Sequence, residues 1–192
     1  MANANSPFGL RPVMMIGGAP WSGKTIRCLC STALYIGDPV VFTGTSDTTG
    51  ECMNVAIASA GDANVIFGVI VAFEPYYADL TLTYNPNTYT RYCLVAPADG
   101  QTVFEVQAGA TVIPKESVGL NAALKSGSGS TVTGYSGWYM DSGDTTAPSA
   151  DASQQLTILG FTPRLDNDIA SAYGKWLVSI NTPQLFPGLI GA

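Results

Sequence analysis

The chain has 192 residues and a net charge of −6, from 14 acidic and 8 basic residues, with no histidine. Charged residues make up 11% of the whole, against about 25% in an ordinary globular domain. Scattered single cations exclude the basic stripe that nucleic acid requires, and the missing imidazole removes the commonest general base and metal ligand.

A membrane-spanning helix needs about 20 apolar residues in a row. The best run here, Val65–Phe73, is interrupted by Gly68. Met1–Ser6 has neither basic residues nor an apolar stretch, so no signal peptide is expected and the chain reads as soluble and unexported. A surface of Ser, Thr, Asn, Gly and Ala is weakly protected against association. Coverage by copies of itself or by a partner is therefore expected.

In chain order, residues 1–9 are small and polar and read as a flexible arm, part of an N-terminal arm spanning 1–13. Val13–Ile16 reads as a strand. Gly18-Ala19-Pro20-Trp21-Ser22-Gly23-Lys24-Thr25 follows it, in a G-x-x-x-x-G-K-T pattern. Ile26–Tyr35 is compatible with a helix but poor in strong helix formers. Val40–Phe42, Val65–Phe73, Leu80–Tyr84, Arg91–Val95, Thr102–Val106 and Thr111–Ile113 read as strands, being rich in β-branched and aromatic residues between turn formers. Thr102–Val106 has the near-alternation of a half-buried strand. Ser117–Lys125 and Asn167–Tyr173 are short helix candidates. Residues 126–134 have the composition of a flexible linker, and 141–153 that of an exposed polar loop. Leu156–Phe161 and Lys175–Ile180 complete the strands. Residues 183–192 form an uncharged apolar tail with two prolines. The pattern predicts an all-β fold: a sandwich or barrel-like core over 14–182, with minor short helices and extended terminal arms.

The glycine-rich motif is the strongest chemical signal. In a phosphate-binding loop its amides cradle phosphates, Lys24 reaches the β/γ oxygens and Thr25 holds magnesium. Such a loop opens a helix in a parallel α/β sheet, and the strands after Pro39 offer no such alternation. A Gly/Pro-rich turn between two strands is the competing reading. Cys28, Cys30, Cys52 and Cys93 lack paired metal-ligand spacing and are expected as reduced thiols, with Cys28 and Cys30 buried on one strand face. Asp141/Asp144 and Asp166/Asp168 lie in polar stretches and read as solvated carboxylates. No catalytic, cofactor or metal residue is assigned, and the chain reads as a non-enzyme.

Several segments together resemble the small head proteins of tailed bacteriophages. They are Asn5-Ser6-Pro7-Phe8-Gly9-Leu10-Arg11-Pro12-Val13, Leu34-Tyr35-Ile36-Gly37-Asp38-Pro39-Val40-Val41, Phe67-Gly68-Val69-Ile70-Val71 and Val103-Phe104-Glu105-Val106-Gln107. Val118-Gly119-Leu120-Asn121-Ala122, the stretch Leu159–Asn167 and Trp176-Leu177-Val178-Ser179-Ile180-Asn181 follow in the same order. The resemblance implies a capsid decoration, or cement, subunit. Such subunits, often trimers, sit on the outer face of the head against the major capsid protein, and have no cofactor, membrane or nucleic-acid partner.

On that reading the two arms carry the contacts. Phe8, Leu185, Phe186 and Leu189 are the expected apolar anchors, and Arg11 and Arg164 the expected clamps on a neighbour's carboxylates. Two alternatives stand beside it: a nucleotide-binding enzyme built on Gly18–Thr25, and another virion part (tail, fibre or main shell protein).

Overall fold

The computed structural model describes residues 2–143 and 145–185. It is all-β, with twelve strands among the described residues and one 3₁₀ turn at Lys115–Ser117. The strands are β1 (Leu10–Met15), β2 (Ile26–Cys30), β3 (Pro39–Ser46), β4 (Met53–Ile57), β5 (Gly68–Phe73), β6 (Arg91–Pro97), β7 (Thr102–Gln107), β8 (Asn121–Ala122), β9 (Leu124–Lys125), β10 (Tyr139–Met140), β11 (Leu156–Phe161) and β12 (Lys175–Ile180). Strands β2-β4-β3-β5-β6 close a small barrel, β1-β7-β12-β11-β8 form an open sheet, and β9 pairs with β10. All pairings are antiparallel except β2 with β4.

Two cores follow from side-chain alternation. Cys28, Cys30, Val40, Val55, Phe67, Ile70, Cys93 and Val95 fill the barrel. Cys28 and Cys30 share that interior face, as two residues two apart on a strand must. The second core includes Leu10, Val69, Phe104, Val106, Leu156, Ile158, Trp176 and Val178, and it joins the sheet to the outside of the barrel. In β12, Trp176, Val178 and Ile180 point inward while Lys175, Leu177 and Ser179 are partly exposed. Strands β5 and β6 therefore serve both cores, with Ile70 and Val95 inside the barrel and Val69 and Ala96 against the sheet.

Strand β7 is buried along its whole length, not half-buried as its alternation implies. Phe104 and Val106 face the core. The other face carries Glu105 and Gln107 and is covered by the N-terminal segment. The Gln107 amide donates to the Ala4 carbonyl at 2.7 Å and its oxygen accepts the Ser6 amide at 3.0 Å.

Several local expectations fail where side chains take over backbone partners. Leu80–Tyr84 is not a strand, because Asp79 turns the chain by accepting the Thr81 amide and hydroxyl, and the Tyr84 carbonyl goes to Arg91. Thr111–Ile113 is not a strand either, and the Thr111 amide donates to Ser142 Oγ. Within Ser117–Lys125 the backbone enters β8 and β9 after Gly119, whose φ of +91° ends the 3₁₀ turn. Asn167–Tyr173 is a run of turns. Its Asp168, Ser171 and Ala172 carbonyls all accept from the Asn3 side chain, so they are unavailable to a helix.

The regions read as mobile by composition are packed. A Cβ on Gly127 would lie 2.1 Å from the Gly137 carbonyl oxygen, and one on Gly129 would lie 2.3 Å from the Tyr35 ring. Residues 126–134 therefore hold one seat on the barrel and are not a linker. In 141–153, Asp141 is buried and accepts the Gly143 and Thr146 amides. Asp144 lies outside the described residues. Neither arm is free where it is described: Asn3 is buried, Leu10–Met15 is a sheet strand, and Gln184 is seated on the barrel. The Gln184 amide donates to the Ile66 carbonyl, while its side chain accepts the Phe42 amide and donates to the Phe42 carbonyl.

Candidate interaction site

Strand β1 lies against β7 in a register that sets Arg11 directly opposite Glu105. Arg164, on the loop after β11, closes on the same carboxylate from the other side, with one guanidinium on each oxygen. The Glu105 side chain is 0% exposed, whereas those of Arg11 and Arg164 are 52% and 39% exposed. A buried carboxylate costs several kcal/mol unless its charge is matched. Here two half-exposed cations share one buried anion, which leaves a single surplus positive charge facing outward.

Phe8 lies beneath this node, its ring centroid 4.9 Å from the Arg11 guanidinium carbon. A groove of about 580 Å³ runs on from it, lined by Phe8, Leu10, Pro12, Trp21, Ile70 and Tyr135 among others, with Arg11 as its one charged wall. Five segments build the groove: the N-terminal residues, the turn carrying Trp21, Ile36–Gly37, Ile70–Val71 of β5, and the packed 133–135 loop. It is apolar because each segment turns an apolar residue towards the junction of sheet and barrel.

Of the residues singled out from sequence, the fold brings Phe8, Arg11 and Arg164 together. The carboxylate that the arginines hold is the chain's own Glu105 and not a neighbour's, because cross-strand register delivers it first. Leu185 is 37% exposed beside the Gln184 seat and does not line the groove. Phe186 and Leu189 lie outside the described residues. Glu105 was missed as a site residue. Its signal was an acidic residue inside the otherwise apolar run Val103–Val106.

The helix that a phosphate loop needs after Thr25 is absent, and Ile26–Cys30 is strand β2. The Gly18 amide donates to Met15 and the Trp21 amide to Val13. Lys24 Nζ donates to Asp99 Oδ2 at 2.8 Å. Gly17–Thr25 is thus a turn between two strands, with its lysine tied to the barrel rim. The four cysteines are free thiols, all buried. Burial pushes the Cys28 thiol up to about 12. Among the described residues, no group of three or more metal-ligating side chains is assembled, and no helix is long and apolar enough to cross a membrane. No protein-family model and no curated protein matches the sequence.

Proposed function

We propose that this protein is a structural component of a tailed-bacteriophage virion, a cement subunit that binds the outer face of the head. It acts as a homo-oligomer, with a trimer the expected form, and it stabilises the shell of major capsid protein through contacts between subunits. The observation that carries this reading is the Arg11–Glu105–Arg164 node beside an apolar groove. A surplus positive charge next to apolar surface is complementary to carboxylates and apolar side chains, and a chain of net charge −6 presents both on every other copy.

Three further features support it. The ordered sequence resemblance spans most of the chain. A charged fraction of 11% suits a surface that assembly covers. Tyr77, Leu80, Val132 and Leu165 are 77% or more exposed, an apolar outlay that contact with neighbours makes worthwhile. In a virion each weak contact recurs in many copies, so avidity supplies the strength.

Light scattering behind a sizing column is the first test, with a discrete closed oligomer expected. The second is addition of the protein to purified heads that lack it, where binding and a higher disruption temperature are expected. A chain that stays monomeric at high concentration and leaves the heads unchanged overturns the proposal.

A further inference from the structure

The Gly37-Asp38-Pro39 turn holds a carboxylate that no cation among the described residues satisfies. Asp38 is 3% exposed. One of its oxygens accepts the Tyr35 amide at 2.8 Å, and the Ser136 hydroxyl also donates to it. Among the described residues, Asp38 makes no ion pair with any Lys or Arg. Two neutral donors do not offset the burial of a full negative charge. Burial accordingly pushes its pKa up to about 6, against the pull of Ser136 and the Tyr35 amide.

Asp38 lines a cavity of about 300 Å³ together with Tyr35, Trp138, Ile57, Ala33 and residues 127–129. Ile57 is 39% exposed, so the cavity reaches the surface. Its walls are fixed. Tyr35 is stacked on Tyr84 with centroids 4.9 Å apart and planes 6° apart. Gly129 lies flat against the Tyr35 ring, and Gly127 against Gly137. A carboxylate in a rigid cleft with no cation of its own beside it is a cation receptor by charge complementarity, the acid supplying the counter-charge. A divalent metal is disfavoured, since it needs several oxygen ligands and this site offers one carboxylate.

We propose that this cavity receives a cationic side chain, the ammonium or guanidinium head of a partner protein's lysine or arginine, with Asp38 as its counter-ion. The inference does not rest on the virion reading. The other titratable groups beside Asp38 are the phenol of Tyr35, itself pushed up by burial and by the nearby acid, and that of Tyr84 stacked on it. Asp38 is therefore the group that gates binding at mildly acid pH.

The test uses n-butylammonium and propylguanidinium ions as probes, read by the Asp38 carboxyl carbon shift and by tryptophan emission. Saturable binding is expected, with the Asp38 titration midpoint lowered by about one unit, as an adjacent opposite charge requires. Affinity falls about fivefold from about pH 7 to about pH 5, and about tenfold once the carboxyl is fully protonated. Asp38→Asn loses the same factor. An unmoved midpoint in the wild-type protein overturns the proposal, as does an equal response from Asp38→Asn or from neutral n-butanol. The midpoint is read on the unmutated chain, so the test stands even where the variant fails to fold.

Discussion

Gly9 and Gly37 cross with no room between them. A Cβ on Gly9 would lie 2.2 Å from the Gly37 carbonyl oxygen, and one on Gly37 would lie 2.1 Å from the Phe8 carbonyl oxygen. Both residues also have positive φ, +72° and +97°, which side-chain-bearing residues adopt at a cost. The crossing pins the N-terminal segment to the barrel, and the Leu10 amide donates to the Gly37 carbonyl at 2.9 Å beside it. Gly37→Ala is expected to destabilise the protein by about 2–4 kcal/mol through overpacking and backbone strain together. Chemical denaturation measures this. Gly100→Ala is the control, because Gly100 also has positive φ but a Cβ there meets nothing within 4 Å. Its cost is expected to stay near about 1 kcal/mol.

The Arg11–Glu105–Arg164 node predicts a non-additive cycle. Either arginine alone still matches the charge of Glu105, so Arg11→Ala and Arg164→Ala each cost about 1 kcal/mol. Together they leave a buried carboxylate with no cation, and the double variant is expected to lose about 3–5 kcal/mol. Adding Glu105→Gln to the double variant recovers part of that loss. Additive single effects measured by urea denaturation count against the shared-carboxylate geometry.

Asp38 predicts a specific pH dependence. Its folded pKa of about 6 lies above the ordinary 3.8 of an aspartate. Protonation therefore favours the folded state. The contribution is fully present below about pH 4 and is lost as pH rises through about 6, flat thereafter. Asp99 runs the other way. Burial alone raises it, but Lys24 and the Gln101 and Thr102 amides outweigh that and hold it down to about 2. Its contribution is present above the unfolded value and is lost as pH falls towards about 2. The difference in unfolding free energy between wild type and Asp38→Asn isolates the first effect. Asp38→Asn is expected to be the more stable at neutral pH, by up to about 3 kcal/mol. A pH-independent difference refutes the assignment.

Buried thiols predict chemical silence. Cys28 faces Cys93 directly across β2 and β6, and both are 0% exposed in the barrel. The thiolate is the reactive form, and burial disfavours it at Cys28. Ellman's reagent is expected to leave the native thiols unmodified on the timescale of minutes and to titrate all four in denaturant. Rapid labelling of Cys28 in the native protein would mean that the barrel opens.

The fold class was legible because β-branched runs bounded by Gly, Pro and Asn mark Val40–Phe42, Arg91–Val95, Leu156–Phe161 and Lys175–Ile180 as strands, each inside or equal to a strand of the fold. What escaped reading was partnership at long range. Nothing local to Val103–Val106 reports that Arg11 and Arg164 will neutralise Glu105 from 94 and 59 residues away. Nor does composition reveal that the glycines of 126–134 are there to permit close approach, since Gly127 and Gly129 look the same in a linker and in a packed crossing. Phe8, Arg11 and Arg164 were singled out from the sequence, but Glu105 was not read as the arginines' partner within the chain, because register is invisible before the strands are paired. Asn167 read as the start of a short helix and Asn3 as an arm residue, and only the fold shows them absorbing the carbonyl groups of the 162–175 loop.

The seam between β3 and β5 has a consequence for how the chain is made. The two strands pair at only two positions, Pro39 with Val69 and Val40 with Gly68, and Gln184 occupies the next stretch through Phe42. The central pair of the sheet likewise joins β7 to β12. The chain must therefore extend through Lys175–Ile180 before the sheet is complete, and to Gln184 before the stretch beside the barrel seam is covered. Folding is governed by non-local closure, in the slow millisecond-to-second regime of high-contact-order β proteins. Until those distant segments meet, the apolar strands stay apart with little charge to help them, which ties the yield of native protein to the speed of long-range closure.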